Sequence, residues 1–257
     1  MRGILLAAGR GRRLGIDGPK VMLRIGGRTL LERHLDAMAV AGMDALTVVV
    51  GHGREEIHAE LERIASRPGG APPVAVETVF NELYVHGSLV SLQRAAHWLE
   101  RGAIWMDADV IYPAELLARL VRSRHACAVL LDGRSSEQGE EMMIAVRDGR
   151  VRRIARRVGT DWDRVGESVG FFKVDPAGGR VLKRILDAEV AAGRLDQEHE
   201  DGLDRALGEV TFGHERVDDL AWTEIDFPED VVRAEQIARA LTPPDSAAPS
   251  QTRAVCE

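Results

Sequence analysis

The sequence predicts an α/β protein: a single domain over residues 1–241 with a mixed, mostly parallel central sheet flanked by helices. Three observations predict it. Short apolar runs recur at Ile4–Ala8, Ala45–Val50, Val74–Val79 and Ala103–Met106, each of a length that suits a buried strand. Amphipathic stretches with helix start and stop signals lie between them, and strand–helix alternation favours a parallel, doubly wound sheet covered on both faces. The chain has 257 residues, 45% apolar and 29% charged, enough for a full core under a well-solvated surface.

Each element has its own warrant. After the first strand, Thr29-Leu-Leu-Glu32 is a capping-box sequence that opens a helix with Leu31, Leu35 and Met38 on one face. Gly42 ends it. Residues 54–65 read as a second helix and Ser66–Pro73 as a Pro/Gly turn region. Ser88–Leu99 is helical, and Pro113 suits the first turn of the next helix. The second half changes character. Met142–Val146 and Val151–Ala155 are strand-like runs joined through Arg147-Asp-Gly-Arg150, and Asp-Gly is a favoured hairpin turn. Glu167–Val174 is a further strand, followed by helices near 176–192 and 197–208. Trp222–Phe227 is the last strand, and Pro228 starts a final helix carrying Val231, Val232, Ile237 and Leu241. From Thr242 to Glu257 Pro, Ser and Ala dominate, which predicts a disordered tail.

Composition excludes several functions. A net charge of −7 argues against a general nucleic-acid binder, which would carry a basic face. No apolar run approaches the roughly 20 residues of a membrane span. No signal-peptide pattern is present, and Cys127, which reads as part of a strand, and Cys256, in the tail, lack metal-ligand spacing. A cytoplasmic, disulfide-free protein is the expectation.

The chemistry concentrates in the first twenty residues. Gly9, Gly11 and Gly15 follow the first strand, and their missing side chains let backbone N–H groups approach an anion. Arg10, Arg12, Arg13 and Lys20 add positive charge at the same place. The segment fits neither a P-loop nor a G-x-G-x-x-G dinucleotide fingerprint. Asp107 and Asp109 follow a strand and so fall at the carboxyl edge of the sheet, where ligands bind in open α/β folds. Two acids beside a polyphosphate repel it unless a cation intervenes, and Mg²⁺ suits that task. Strand alternation points one of the two inward. Glu224-Ile-Asp226 supplies a second acidic group.

The order Leu6-Ala7-Ala8-Gly9-x-Gly11-x-Arg13-Leu-Gly15, then Pro19-Lys20, resembles the signature of nucleotidyltransferases that join a nucleoside triphosphate to a phosphorylated acceptor. Asn81-Glu-Leu-Tyr84 to Gly87-Ser88-Leu89, Gly166-Glu167-Ser-Val-Gly170-Phe and Trp222-Thr-Glu224-Ile-Asp226 narrow the resemblance to the CTP-using branch acting on phosphocholine and phosphonates. That resemblance implies a GT-A-like (Rossmann-like) fold. It also implies transfer of CMP from CTP to a small phospho-alcohol or phosphonate with release of pyrophosphate. Within it, Asp109 and Asp226 are the metal ligands for Mg²⁺. Lys20 and Arg12 are catalytic. Leu6, Ala7, Ala8, Gly9, Arg10, Gly11, Asn81 and Ser88 hold the nucleotide, with Arg13 sharing its phosphates. Glu167, Tyr84, Trp222 and Glu200 face the acceptor. Related enzymes often show Tyr-Glu-Asp where this chain has His199-Glu200-Asp201, which weakens the case for an aromatic cage and keeps an inositol phosphate open as acceptor.

Other readings stay in view: a sugar-phosphate nucleotidyltransferase using another triphosphate, and a non-catalytic nucleotide-binding subunit. The sequence leaves room for a homodimer. His199 reads as a helix-surface residue, and Asp107, Glu224 and Asp230 as local capping or edge acids. Trp105 and Trp162 read as packing residues. The arginines between Arg150 and Arg157 read as the solvated face of a strand.

Overall fold

A computed structural model describes residues 1–15, 18–67, 74–135 and 141–241, with the Arg12 side chain outside the description. The expected 242–257 tail, Cys256 and most of the Ser66–Pro73 turn lie outside the described residues.

In chain order, β1 (Arg2–Ala7) leads through two 3₁₀ turns, Arg12–Leu14 and Lys20–Met22, into the small hairpin β2 (Arg24–Ile25) and β3 (Arg28–Thr29). Then come α1 (Leu30–Val40), β4 (Ala45–Val50), α2 (Arg54–Ala65), β5 (Ala75–Phe80), α3 (Ser88–Arg94), α4 (Ala96–Leu99) and β6 (Ala103–Asp107). β7 (Val110–Ile111), α5 (Ala114–Arg122), β8 (Ala128–Asp132), β9 (Met143–Arg147), β10 (Arg150–Ala155) and β11 (Arg164–Val174) follow. The chain continues as α6 (Pro176–Ala191), α7 (His199–Ala206), β12 (Gly213–Arg216), β13 (Thr223–Glu224) and α8 (Pro228–Leu241).

Among the described residues, nine strands form one mixed sheet in the order β10-β9-β11-β6-β1-β4-β5, with β8 and β12 branching beside β11. β1 lies between β4 and β6, parallel to both, and β5 extends the parallel part. β11 closes it antiparallel to β6. The strands alternate their side chains between two cores, as a period of two requires. Leu5, Val48, Ile104, Met106 and Phe171 pack on one face with α1, α5 and α8. Ile4, Val49, Trp105 and Phe172 pack on the other with α3, α4, α6 and α7. Trp105 and Phe172 stack there with centroids 4.9 Å apart.

Local signals act as their chemistry requires. Thr29 accepts from the Glu32 backbone while the Glu32 carboxylate accepts from the Thr29 N–H, a complete capping box. Arg147 and Arg150 pair across a two-residue turn in which Asp148 and Gly149 both take positive φ, 53° and 71°, the geometry that matches the twist of a hairpin. Three expectations shift. The 88–99 helix breaks at Ala95 into α3 and α4. The 222–227 strand shrinks to β13, paired with β7. β12 also forms where no strand is expected, while β8 begins beside Cys127, which the sequence places in a strand, and ends at Asp132-Gly133.

Candidate active site

A cleft of about 420 Å³ opens where β1 and β6 end. The loop after β1 supplies Ala8 to Gly11, Arg13 and Lys20. The end of β6 supplies Asp107 to Asp109. β11 supplies Glu167, Ser168 and Gly170, the turn before α3 supplies Tyr84 and His86 to Ser88, and the start of α7 supplies Glu198 to Glu200. Glu224 and Asp226 complete the lining. This is the carboxyl edge of the parallel strands, the edge that topology selects.

At the centre lies a knot of opposite charges. The Lys20 ammonium donates to Asp109 Oδ2 at 2.8 Å and also to Asp226. Arg13 donates to the other Asp226 oxygen at 3.2 Å. Asp109, Glu224 and Asp226 each present a carboxylate oxygen within 4.8 Å of the others. Burial works against the Lys20 charge, but the Asp109 and Asp226 carboxylates outweigh it and hold its pKa above the ordinary value. Burial raises the Asp109 pKa, with Asp107 and Asp226 adding to the effect and Lys20 opposing it. Glu224, although an exposed residue, is raised well above the usual carboxylate range by loss of water at the cleft and then by Asp109 and Asp226. An all-oxygen set under this much mutual repulsion fits a hard divalent cation.

Asp107 and Asp109 both line the cleft, so the alternation argument, which admitted one, is corrected: the chain turns after Asp107 and strand periodicity lapses there. Asp107 faces a second group. His199 Nε2 lies 3.0 Å from Asp107 Oδ1, and His199 Nδ1 lies 3.4 Å from Glu200. Burial alone would lower the His199 pKa, but the Glu200 and Asp107 charges raise it to about 9. Glu200 is pushed up to about 7 by burial, with His199 opposing. The surface placement of His199 is therefore overturned: it is 1% exposed and forms the back wall between two carboxylates. Gly170 makes the close fit of Asp107 feasible. It has φ +78°, and a Cβ there would come 2.1 Å from Asp107 Oδ2.

The remaining sequence candidates divide. Leu6, Ala7, Ala8, Gly9, Arg10, Gly11, Lys20, Ser88, Tyr84, Glu167, Glu200, Asp109 and Asp226 all border the cleft. The Arg10 guanidinium sits over the Tyr84 ring, 5.2 Å from its centroid. The Arg12 side chain lies outside the described residues. Asn81 is fully buried. Its amide donates to Ser91 and its carbonyl accepts from the Leu83 N–H, both at 3.0 Å, so it builds the turn beneath Tyr84 and does not face the cleft. Ser88 is not the N-cap of α3, a position held by Gly87. Its hydroxyl donates to Glu198 at 2.6 Å and accepts from the His199 N–H at 2.9 Å, clasping α3 to α7. Trp222 faces away from the cleft, because its buried indole N–H needs an acceptor and finds Asp132 at 2.8 Å. It borders an adjoining cavity of about 560 Å³ that shares Glu167, Glu224 and Asp226 with the cleft. Asp230 accepts from the Asp226 and Phe227 N–H groups, the capping role expected of it.

Sequence reasoning underrated Glu224, His199 and Arg156. Arg156 lies just past β10 and lines the cleft, although the arginine run reads as a solvated face. The antiparallel pairing of β10 with β9, which in turn lies beside β11, brings its end to the opening.

Comparison with known proteins follows the same geometry. The model of the MobA-like NTP transferase domain matches residues 3–168, which include the loop, Lys20, Asp107, Asp109 and Glu167. A Bifunctional IPC transferase and DIPP synthase from Thermococcus kodakarensis is 29% identical over 236 residues, 92% of this chain and 50% of the relative. A CMP-5'-(3-aminopropyl)phosphonate synthase from Streptomyces rubellomurinus is 27% identical over 248 residues, 91% of this chain and 38% of the relative. The chain thus spans about half or less of the length of these curated relatives. Among solved structures, the inositol-1-phosphate CTP transferase from T. maritima superposes with a TM-score of 0.73 at 19% identity, covering 94% of this chain and 97% of that one. The CTP:phosphocholine cytidylyltransferase from Streptococcus pneumoniae gives 0.72 at 20%, covering 92% and 98%. At these identities the likeness is one of fold, the GT-A-like nucleotidyltransferase fold. With its loop, Lys20, Asp107 and Asp109 inside the matched stretch, and that stretch most of the sheet, the chain belongs to the MobA-like NTP transferase family.

Proposed function

We propose that the chain is a cytidylyltransferase that transfers CMP from CTP to a small phosphorylated alcohol or phosphonate and releases pyrophosphate. The observation that carries the reading is the convergence of the Gly9–Arg13 loop, Lys20 and the Asp109–Glu224–Asp226 group in one cleft. A relative named for a CMP-phosphonate product and solved structures named as CTP enzymes, each covering more than 90% of this chain, support the choice of nucleotide.

The chemistry asks for positioning and charge neutralisation more than for acid–base groups. An acceptor phosphate oxygen, ionised at neutral pH, attacks the α-phosphorus; the bond from that phosphorus to the β-bridging oxygen breaks, and pyrophosphate leaves with the electron pair. Backbone amides from Ala7 to Gly11, with Arg10 and Arg13, hold the phosphates. Lys20 sets its ammonium against the transferring phosphoryl group. Asp109 and Asp226, with Glu224 beside them, would hold Mg²⁺, which when bound supplies charge neutralisation for the triphosphate.

The acceptor wall favours a hydroxylated acceptor, such as an inositol phosphate, over a quaternary ammonium. Asp107, His199 and Glu200 offer hydrogen-bonding groups there, and Tyr84 is the one Phe, Tyr or Trp among the described residues lining the cleft, with its ring under Arg10.

The test is pyrophosphate release with Mg²⁺, each triphosphate being paired with inositol 1-phosphate, phosphocholine, 2-aminoethylphosphonate and glucose 1-phosphate. Turnover with CTP and one of the first three is expected, inositol 1-phosphate leading. Turnover confined to glucose 1-phosphate with another triphosphate would overturn the reading. So would nucleotide binding without turnover on any pair, which would favour a regulatory subunit.

A further inference from the structure

The Lys20 ammonium occupies the space between the carboxylates that would hold a metal ion. It is bonded to Asp109 and Asp226 at once, the Lys20 side chain is 17% exposed, and Arg13 engages the remaining Asp226 oxygen. Both Asp226 oxygens therefore already face a cation. A second, divalent cation placed among Asp109, Glu224 and Asp226 would stand a few ångströms from the ammonium and be repelled by it.

We propose that Lys20 is the resident counter-ion of the metal seat and keeps it closed, so that a metal ion enters only as the triphosphate draws the ammonium onto its phosphate oxygens. This rests on the nucleotide half of the function proposed above and is independent of the acceptor. Lysine suits the part, being a compact charge on a flexible stem. Its backbone stays in place: Lys20 opens a 3₁₀ turn pinned by the Met22 N–H to the Pro19 carbonyl at 2.9 Å, so the side chain can swing without moving the loop. A site open for only a small fraction of the time binds with affinity reduced by that fraction. Linkage then requires metal and nucleotide each to strengthen the other's binding by the same factor.

Two measurements test it. Free Mn²⁺ is counted by electron paramagnetic resonance against the nucleotide-free protein. The wild type should bind Mn²⁺ at least about tenfold more weakly than Lys20→Met. Arg13→Met, which removes an equal charge beside the seat but not in it, should change affinity by less than about threefold. Equal tightening by the two variants, or none by Lys20→Met, overturns the proposal. The second measurement needs no variant. In protein labelled with ¹⁵N-lysine, the Lys20 ammonium signal should hold its position when Mg²⁺ alone is added to about 1 mM, a cation excess, and should move on addition of CTP. Displacement by Mg²⁺ alone, or CTP binding that leaves the signal in place, overturns it. Failure of CTP to bind, with Mn²⁺ still tightened by Lys20→Met, would count against the cytidylyltransferase reading and leave the closed seat standing.

Discussion

At the scale of single residues, the cleft is a balance of charges in which each member is held by its neighbours. Asp109 touches Lys20 and stands among Glu224 and Asp226, so replacing it with Asn keeps the shape and removes one carboxylate charge. Asp109→Asn and Asp226→Asn should each lower kcat by about 100-fold or more, the scale of a lost electrostatic contact in a closed site. Circular dichroism should remain that of the wild type, and retention of magnesium-dependent activity in either would remove that residue from the site. Gly170 carries a different kind of constraint. Its φ of +78° and the 2.1 Å approach of any Cβ to Asp107 mean that Gly170→Ala must strain the backbone and push the carboxylate off His199. A loss of about 1–3 kcal/mol in urea unfolding is expected, together with lower activity. An alanine variant as stable and active as the parent would show that Asp107 has room to move. The first twenty residues reveal Lys20 and the loop directly, because glycine and cationic residues are unusual at that density after a strand. His199 and Glu224 were not legible in the same way. A histidine between two acids on an eight-residue helix looks like surface until Asp107 is seen from β6, and that meeting is a product of topology.

At the scale of elements, the clasp at Ser88 decides how the two sides of the cleft hold together. Ser88 joins Glu198 and the His199 N–H, while the Gly87 N–H donates to the Leu195 carbonyl at 3.0 Å and the Leu89 N–H to that of Gln197 at 3.0 Å. The turn before α3 and the start of α7 are thus one unit, and His199 inherits its position from it. Ser88→Ala should cost about 1 kcal/mol of stability. It should also speed amide hydrogen exchange in residues 86–89 and 197–201 more than in α1. Unchanged exchange there would show that the backbone bonds suffice. Thr29→Ala makes the contrasting case: loss of the cap should cost about 1 kcal/mol and leave kcat unchanged, since α1 reaches the cleft through no side chain of its own. Elements of this kind were legible where a local code exists, as at the Thr29–Glu32 box and the Asp148–Gly149 turn. β12 has no such code, and β8 has only its apolar run beside Cys127 and the Asp132-Gly133 pair that ends it. They pair because β11 is long enough, at eleven residues, to carry β9 and then β6 along one side and β8 along the other. The two-residue β13 exists only because β7 is there to receive it.

At the scale of the whole molecule, buried histidines tie stability to pH. His34 joins α1 to the end of β6: one ring nitrogen meets the Tyr112 hydroxyl at 2.9 Å and the other the Ala108 carbonyl at 3.2 Å. Burial pushes its pKa down to about 4, against a partial opposing effect of the Ala108 carbonyl. Between pH 6.5 and 4 the unfolded chain therefore takes up a proton that the native state refuses. Stability from this group is complete above about pH 6.5 and falls as pH drops through the window, by roughly 3 kcal/mol in all. Glu200, raised to about 7, runs the other way: a carboxyl that holds its proton longer in the folded state adds stability at low pH, lost as pH rises from its ordinary value toward 7. His199, raised to about 9, favours folding below pH 6.5 and loses that contribution as pH climbs through 9. The raw pH profile mixes all three, so the discriminating comparison is urea unfolding of the wild type and His34→Gln at steps from pH 7.5 to 4.5. The variant keeps a polar side chain but cannot titrate, and its stability relative to the wild type should rise steadily as pH falls below 6.5. Parallel curves would show that His34 is protonated in the native state, and that the contact between α1 and the end of β6, one shell behind Asp107 and Asp109, carries a charge its burial argues against.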